Sequence, residues 1–214
     1  MIEVKHLYLK YIREYYALYD VNLKIDDGEC VAFIGKPNSG RTTMLRVIAG
    51  LEKFDEGEVY IDGRDIKSID FSLDTGLGYI PVSPVFFDNK TVYDNLKYVL
   101  EIRKYNKNDI EDTINKALIE FNIEKYKNIK VKDLDLYEKY LICFVRLSLR
   151  RIDYLMVDNI FEKLEPDEAD AFLSLICDLF VKKGVTTILV GEDFQKFSTI
   201  CSRKIEFDYG SVKG

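Results

Sequence analysis

The sequence has few of the residues from which metal and disulfide sites are built. It contains one histidine, His6, and four cysteines, and no two cysteines form a C-x-x-C pair. A structural zinc site needs four such ligands at short spacings, so no zinc site is expected. Three of the cysteines lie inside apolar runs, which is typical of reduced core thiols in a cytosolic protein.

The sequence also lacks a long apolar run. The richest stretch, "YLICFVRLSL", is about half of a membrane span and contains Arg146. The first residues, "MIEVKHLYLKYI", alternate as a strand does and lack the apolar core of a signal peptide. We therefore expect a soluble chain that reaches a membrane only through a partner.

Positive charge is not in excess. The net charge is −6 and the pI is about 5.1, so we expect no general affinity for nucleic acid. The chain has 214 residues, of which 47% are hydrophobic. This is enough for one domain with a substantial core, or for one domain with a subdomain.

Strand patterns dominate both ends of the chain. Residues 2–10 and 20–25 alternate with period two and predict strands. "CVAFI" is apolar at every position, as a strand covered on both faces must be, and "VTTILV" predicts another buried strand. Shorter strands are predicted in "GEVYIDG", "LGYIP" and "YLMVD", and a closing hairpin in "RKIEFDYGSV".

Helix patterns occupy the middle of the chain. "TVYDNLKYVLEIRKY" begins with Thr91 as a cap and Asp94 three residues later, which resembles a capping box. "NDIEDTINKALIEF" and "YEKYLICFVRLSLRR" predict two more helices. A last helix begins at Pro166 and ends with two lysines and Gly184, a charge order that suits the helix dipole. The layout predicts an α/β chain with a helical insert.

One loop has the form of a phosphate-binding loop. The stretch "GKPNSGRTT", residues 35–43, follows the buried strand "CVAFI" and precedes a predicted helix. Gly35 and Gly40 allow the backbone to curl with several N–H groups pointing inward. The positive end of the helix dipole adds to this, and Thr42 places a hydroxyl where Mg²⁺ would bind.

The loop departs from the usual G-x-x-x-x-G-K-[ST] pattern at one position, where Arg41 replaces the lysine. A guanidinium is a larger planar fork and is not equivalent to an ammonium in so tight a place. Arg41 therefore either reaches phosphate by another route or points away from it. Lys36 is an alternative source of charge. A glycine-rich turn with no ligand is the competing interpretation.

Taken in order, the motifs resemble those of the ATP-binding-cassette (ABC) family of transporter ATPases over essentially the whole chain. The matching stretches, in chain order, are "GKPNSGRTT", "GEVYIDG", "LGYIPVSPVFFDNKTVYDNL", "YLMVDN", "IFEKLEP" and "TTILVGEDFQ". The resemblance implies an α/β P-loop NTPase fold of ABC type, with a mixed sheet core, an antiparallel β subdomain and a helical subdomain. It implies one nucleotide-binding domain, 1–214. Residues 1–82 and 151–214 would form the core and β subdomain, and residues 83–150 the helical subdomain.

The resemblance also implies ATP and Mg²⁺ as cofactors. Tyr11 takes the place of the aromatic residue that stacks on adenine, with Tyr15 and Tyr16 as alternatives. The loop residues implied in phosphate binding are Gly35, Lys36, Asn38, Ser39, Gly40, Arg41, Thr42 and Thr43. Thr42 and Asp158 are the implied magnesium ligands.

The catalytic positions of the family carry other residues in this chain. Val82 replaces the glutamine that senses magnesium and water, Asn159 replaces the water-positioning acid, and Glu192 replaces the histidine that touches the γ-phosphate. Asn159 can hold a water but cannot accept its proton. No catalytic residue of the family is therefore intact, and we expect little or no hydrolysis.

The signature L-S-G-G-Q, which faces the nucleotide of a second subunit in the family, corresponds to "LDLYE", residues 134–138. Leu136 and Tyr137 replace the two glycines, and Glu138 brings a negative charge. The resemblance implies a head-to-tail homodimer or, in preference, a heterodimer with an intact relative.

A membrane permease would dock on the helical subdomain, at the cytoplasmic face of the membrane. Phe86, Phe87 and Tyr93 would either line the docking groove or belong to the subdomain core. The function expected is a degenerate ABC nucleotide-binding subunit with a structural or regulatory role in a transporter. The alternatives are an active ABC ATPase that tolerates the substitutions and a soluble P-loop binding module without a membrane partner.

Overall fold

The computed structural model describes residues 1–12, 15–71 and 76–213. The chain forms two compact units. One unit comprises Met1–Val82 and Asp153–Gly214, and the other comprises Ser83–Ile152. The larger unit contains both sheets and the phosphate loop, and the smaller unit is helical.

An antiparallel sheet of four strands forms one layer of the larger unit. Its strands are β1 (Ile2–Ile12), β2 (Tyr15–Ile25), β4 (Glu56–Ile61) and β5 (Arg64–Asp65), in the order β2-β1-β4-β5. Val4 lies opposite Leu23 on one side and Val59 on the other, so alternate apolar residues face the core. β2 begins five residues before the predicted residue 20, because the tyrosine-rich segment before it also pairs with β1.

The second sheet is mixed and has six strands. They are β3 (Cys30–Ile34), β6 (Leu77–Ile80), β7 (Tyr154–Val157), β8 (Thr186–Gly191), β9 (Arg203–Asp208) and β10 (Ser211–Val212), in the order β10-β9-β3-β8-β7-β6. All neighbouring pairs are parallel except β9 and β10, which form the predicted closing hairpin. Every residue of β3 and β8 is buried. The predicted mixed sheet and antiparallel β subdomain are confirmed.

Two helices belong to the larger unit. α1 (Arg41–Ile48) follows the phosphate loop, and α5 (Pro166–Leu179) has Pro166 in its first turn with two acidic residues beside it. α5 ends before the two lysines predicted at its end. These lie in a separate 3₁₀ turn, 181–183, because Val185 N–H bonds back to the Phe180 carbonyl and Gly184 adopts φ 79°. This closure tightens the last turn and redirects the chain into β8.

The smaller unit is built on three helices, α2 (Val92–Ile102), α3 (Lys107–Glu120) and α4 (Leu136–Ser148). The predicted capping box at Thr91 and Asp94 is present, with both hydrogen bonds formed. The helices bury a common core that includes Leu96, Ile114 and Ile142. In the part of the chain that the structure describes, no helix is both long enough and apolar enough to span a membrane.

The four cysteines are free thiols, as predicted. Three are buried and Cys177 is half-buried. The sulfur atoms of Cys30 and Cys201 lie 3.2 Å apart across the start of β3. Burial raises the pKa of Cys143 to about 11. The Cys143 thiol is therefore protonated near neutral pH.

Candidate functional site

The phosphate loop has a backbone that only small residues allow. Gly40 adopts φ 102°, and a Cβ on it would lie 2.7 Å from the carbonyl oxygen of Ala17 in β2. A Cβ on Gly35 would collide with the Phe207 carbonyl oxygen and lie 2.7 Å from Ser39 Oγ. Asn38 is also left-handed, at φ 64°, a region that asparagine tolerates better than most residues. The loop is thus wedged between β2 and β9 and keeps its curl.

The end of the loop has hydrogen-bond donors that a bound anion could use. Gly40 is the N-cap of α1 and no side chain caps this end. The first N–H groups of a helix have no partner within the helix, so an anion can accept from them. Ser39 Oγ is buried and has no hydrogen-bond partner among the described residues. These features fit a phosphate group.

Arg41 does not point freely into the loop. Its side chain is buried, with 6% exposure, and Nη1 donates a hydrogen bond to the carbonyl oxygen of Gly191 at the end of β8. Burial lowers the pKa of Arg41, whereas the charges of Glu162, Glu192 and Asp158 raise it. The guanidinium remains protonated at neutral pH. In this structure the guanidinium of Arg41 therefore contacts a protein carbonyl.

Thr42 and Asp158 come together although 116 residues separate them. Thr42 Oγ1 donates to Asp158 Oδ1 at 2.8 Å, because α1 begins beside the end of β7. Asp158 has only 1% exposure, and its second oxygen accepts a hydrogen bond of 2.8 Å from the hydroxyl of Tyr79 in β6. The predicted pair of magnesium ligands is thus adjacent.

Tyr79 is a site residue that the sequence reasoning missed. Burial, followed by the charge of Asp158, raises the pKa of Tyr79, so its phenol stays protonated and donates. The signal available in the sequence was only its position in the strand "LGYI", which pairs with the strand that precedes Asp158.

Replacing Tyr79 by phenylalanine should lower the free energy of unfolding by about 1–2 kcal/mol, because the buried carboxylate of Asp158 loses one of its two donors. Urea unfolding would measure this. Tyr209→Phe is the matched control, since Tyr209 is 84% exposed and should change stability by less than about 0.5 kcal/mol. Equal losses for the two variants would show that the hydrogen bond contributes nothing to stability.

The three residues expected at catalytic positions, Val82, Asn159 and Glu192, have the following surroundings in this structure. The carbonyl oxygen of Val82 accepts a hydrogen bond of 3.0 Å from Lys163 Nζ. Asn159 adopts φ 51°, and its Oδ1 is buried without a partner among the described residues. The backbone N–H of Glu192 donates to Glu162 Oε1 at 3.0 Å, and the Glu192 side chain is exposed. The side chains of Val82 and Asn159 have no group that can accept a proton as a general base.

Of the three candidate adenine-stacking tyrosines, Tyr11 is the one in contact with the loop. Its hydroxyl lies 3.3 Å from Thr43 Oγ1, and the ring is 55% exposed. Tyr16 instead packs edge-on against Tyr8 and Tyr19, beneath the ammonium of Lys10. Its ring is therefore less free to stack on a base.

In the smaller unit, the stretch "LDLYE", which we expect at the signature position, is an ordinary helix start. Asp135 caps α4 by accepting from Glu138 N–H at 2.8 Å, and Glu138 accepts in return from Asp135 N–H. Glu138 is thus committed to its own helix. Leu136 and Tyr137 place full side chains in the first turn of α4, where the signature has glycines.

The loop fits a phosphate chain, and Thr42 with Asp158 fits Mg²⁺ in the manner of P-loop proteins. Mg²⁺ in such sites takes one or two protein ligands and completes its shell with phosphate oxygens and water. Among the described residues no cluster of three or more histidine, cysteine or acidic side chains could hold a metal alone.

Known proteins resemble this chain over most of its length. A family model described as ABC transporter matches residues 18–162. The methionine import ATP-binding protein MetN of Clostridioides difficile (strain 630) is 31% identical over 216 aligned positions, which cover 99% of this chain and 67% of that protein. The sulfate/thiosulfate import ATP-binding protein CysA of Mesostigma viride is 30% identical and covers 92% of this chain. This chain spans only 56% of that protein.

Solved structures show the same fold. An ATP-binding cassette, solved as a dimer in a post-hydrolysis state bound to ADP and Pi, has a TM-score of 0.87 and 25% sequence identity to this chain. The match covers 100% of this chain and 97% of the other.

Proposed function

Because the chain belongs to the ABC transporter family, we propose that it is the nucleotide-binding subunit of a membrane ABC transporter with weak or no ATP hydrolysis. The observation that carries this proposal is the position of Arg41. Arg41 takes the place of the usual lysine of the loop. Its side chain is buried and donates to the Gly191 carbonyl. A cation held there contributes less to phosphate than one that is free to turn inward.

Retention of nucleotide is supported by the backbone of the loop and by the magnesium pair. The left-handed Gly40 and the uncapped start of α1 keep N–H groups available. Thr42 and Asp158 are in direct contact. ATP and Mg²⁺ are therefore the cofactors that we propose, with Tyr11 beside the loop as the stacking residue.

Loss of hydrolysis is supported by the residues at the catalytic positions. Phosphoryl transfer depends on positioning the attacking water and on neutralising charge. Val82 and Asn159 cannot accept a proton, and Glu192 adds negative charge where a γ-phosphate contact is needed. Each lost group of this kind typically costs about 10²-fold or more in rate.

An active ATPase is the second candidate, and specific observations favour it. Thr42 and Asp158 are in contact, the loop keeps its curl, and residue 41 is still a cation. The relatives are import ATP-binding proteins, and a solved neighbour carries ADP and Pi. On this view Arg41 leaves Gly191 when nucleotide binds.

For the partner subunit we propose a second cassette with intact motifs. A homodimer would set the same altered signature, "LDLYE", against both nucleotides. Leu136 and Tyr137 add bulk at the start of α4, and Glu138 is already used as a cap. An intact relative would supply a glycine signature to this loop, so a heterodimer is the better arrangement.

For the membrane partner we propose a permease segment docked in a groove of the helical unit. The groove has a volume of about 320 Å³, and its exposed apolar residues are Val85, Phe87, Tyr98 and Ile102. Phe87 and Tyr98 make an edge-to-face contact at 5.0 Å. Phe86 also lines the groove and packs against the core of this unit, whereas Tyr93 packs against the core. Docking here would place the chain at the cytoplasmic face of the membrane.

Phosphate release by the purified chain, with and without Mg²⁺, tests the proposal against its active alternative. We expect turnover far below about 1 s⁻¹, the lower end of ordinary enzymes. Magnesium-dependent turnover near that rate, lost in Asp158→Asn, would establish the active ATPase. Affinity capture separates both from a soluble module, since only a transporter subunit should retain an integral membrane protein.

A further inference from the structure

Three carboxylates act on the charge of Arg41. The charges that act on the guanidinium belong to Glu162, Glu192 and Asp158, with Glu162 the strongest. Both oxygens of Asp158 already accept hydrogen bonds from hydroxyl groups. Glu192 is exposed to solvent, so salt and water screen its charge. Of the three carboxylates, Glu162 therefore has the negative charge that hydrogen bonds and solvent reduce least.

The backbone of β8 fixes the position of Glu162. Its Oε1 accepts the Glu192 N–H at 3.0 Å. A Cβ on Gly191 would lie 3.2 Å from the same oxygen, so the carboxylate lies directly against Gly191. Gly191 is also the residue whose carbonyl accepts from Arg41. The cation and this anion therefore meet at one residue of the chain.

The second oxygen of Glu162 is open to a new interaction. Glu162 Oε2 is buried and has no hydrogen-bond partner among the described residues. A buried carboxylate oxygen without a donor keeps its negative potential, because no N–H or water is there to reduce it. Any other anion placed beside Arg41 would experience that potential.

In the proposed site, Glu192 is at the position that contacts the third phosphate, and its backbone N–H donates to Glu162. Glu162 therefore lies on the side of the third phosphate. We infer that Glu162 is a specificity-determining residue, which disfavours the third phosphate and makes the site prefer a nucleoside diphosphate to a triphosphate. This inference rests on the proposed nucleotide-binding function and deepens it.

Glu162→Gln tests the inference, because glutamine keeps an oxygen that can accept the Glu192 N–H and removes only the charge. The full chain would be titrated calorimetrically with the Mg²⁺ complexes of ADP and of the non-hydrolysable β,γ-imido analogue of ATP. We expect the ratio of triphosphate Kd to diphosphate Kd to fall about 10-fold, as expected for loss of one repulsive charge near the γ-phosphate. The Kd for ADP should change less than about threefold.

Asp170→Asn is the matched control. Asp170 is an exposed carboxylate on α5, and its substitution changes the net charge by the same amount. The Kd ratio of this variant should remain that of the parent protein. Glu162→Ser, which also removes the charge, provides the same readout if thermal unfolding shows that the glutamine variant is not folded.

The outcomes are distinct. If both nucleotides bind and the Kd ratio of Glu162→Gln stays within twofold of the parent value, Glu162 is not the determinant, and nucleotide binding itself stands. If neither nucleotide binds to the parent protein or to any variant, the proposed nucleotide-binding function fails and the inference fails with it.

Discussion

Replacing Gly40 by alanine is expected to lower the free energy of unfolding by about 3 kcal/mol and to abolish measurable nucleotide binding. A left-handed conformation costs a residue with a Cβ about 1–2 kcal/mol. The new Cβ would also lie 2.7 Å from the Ala17 carbonyl oxygen, a backbone atom of β2 that cannot rotate away. Forcing the two apart costs roughly 1–3 kcal/mol more and moves the start of α1, from which the phosphate donors come.

Gly63→Ala is the control that separates the cost of the left-handed backbone from the cost of the steric clash. Gly63 is also left-handed, at φ 73°, but no atom lies within 4 Å of a Cβ placed there. This variant should therefore lose only the backbone term of about 1 kcal/mol and keep its nucleotide affinity. Urea unfolding with unchanged m-values would measure the loss of stability in each of the two variants. A loss at Gly40 no larger than that at Gly63 would show that the close approach to β2 does not constrain the loop.

The parts of the fold set by local pattern were predictable. "CVAFI" is apolar at every position, which is typical of a strand covered on both faces. Thr91 and Asp94 have the spacing of a capping box, and both of its hydrogen bonds are formed. The start of β2 was not predictable, because its tyrosines become strand residues only through pairing with β1.

The contacts of the site were less predictable than its members. The motif places Arg41 at the start of α1, but nothing near it in sequence indicates that its partner is the carbonyl of Gly191, 150 residues away. Glu162 and Tyr79 were missed for the same reason. Their roles arise where the ends of parallel strands meet, and that proximity is a property of the sheet order and not of any local pattern.

Replacing Arg41 by lysine is expected to increase the affinity for Mg-ATP at least about 10-fold without producing appreciable hydrolysis. The planar guanidinium is held by the Gly191 carbonyl, and the charge of Glu162 acts on it. A compact ammonium on a flexible stem fits inside a ring of backbone N–H groups and can turn toward phosphate. Hydrolysis should stay absent because Val82, Asn159 and Glu192 are unchanged. Calorimetric titration and phosphate release would measure the two effects separately.

Arg46→Lys is the control for this change, since it makes the same substitution on the same helix at an exposed position paired with Glu52 at 3.3 Å. Its affinity for Mg-ATP should lie within twofold of the parent value. Equal or weaker binding by Arg41→Lys would mean that the native guanidinium leaves Gly191 and binds phosphate at least as well as lysine does. The loop would then be a working variant of the family motif, and the loss of hydrolysis would have to come from the residues around Asp158 alone.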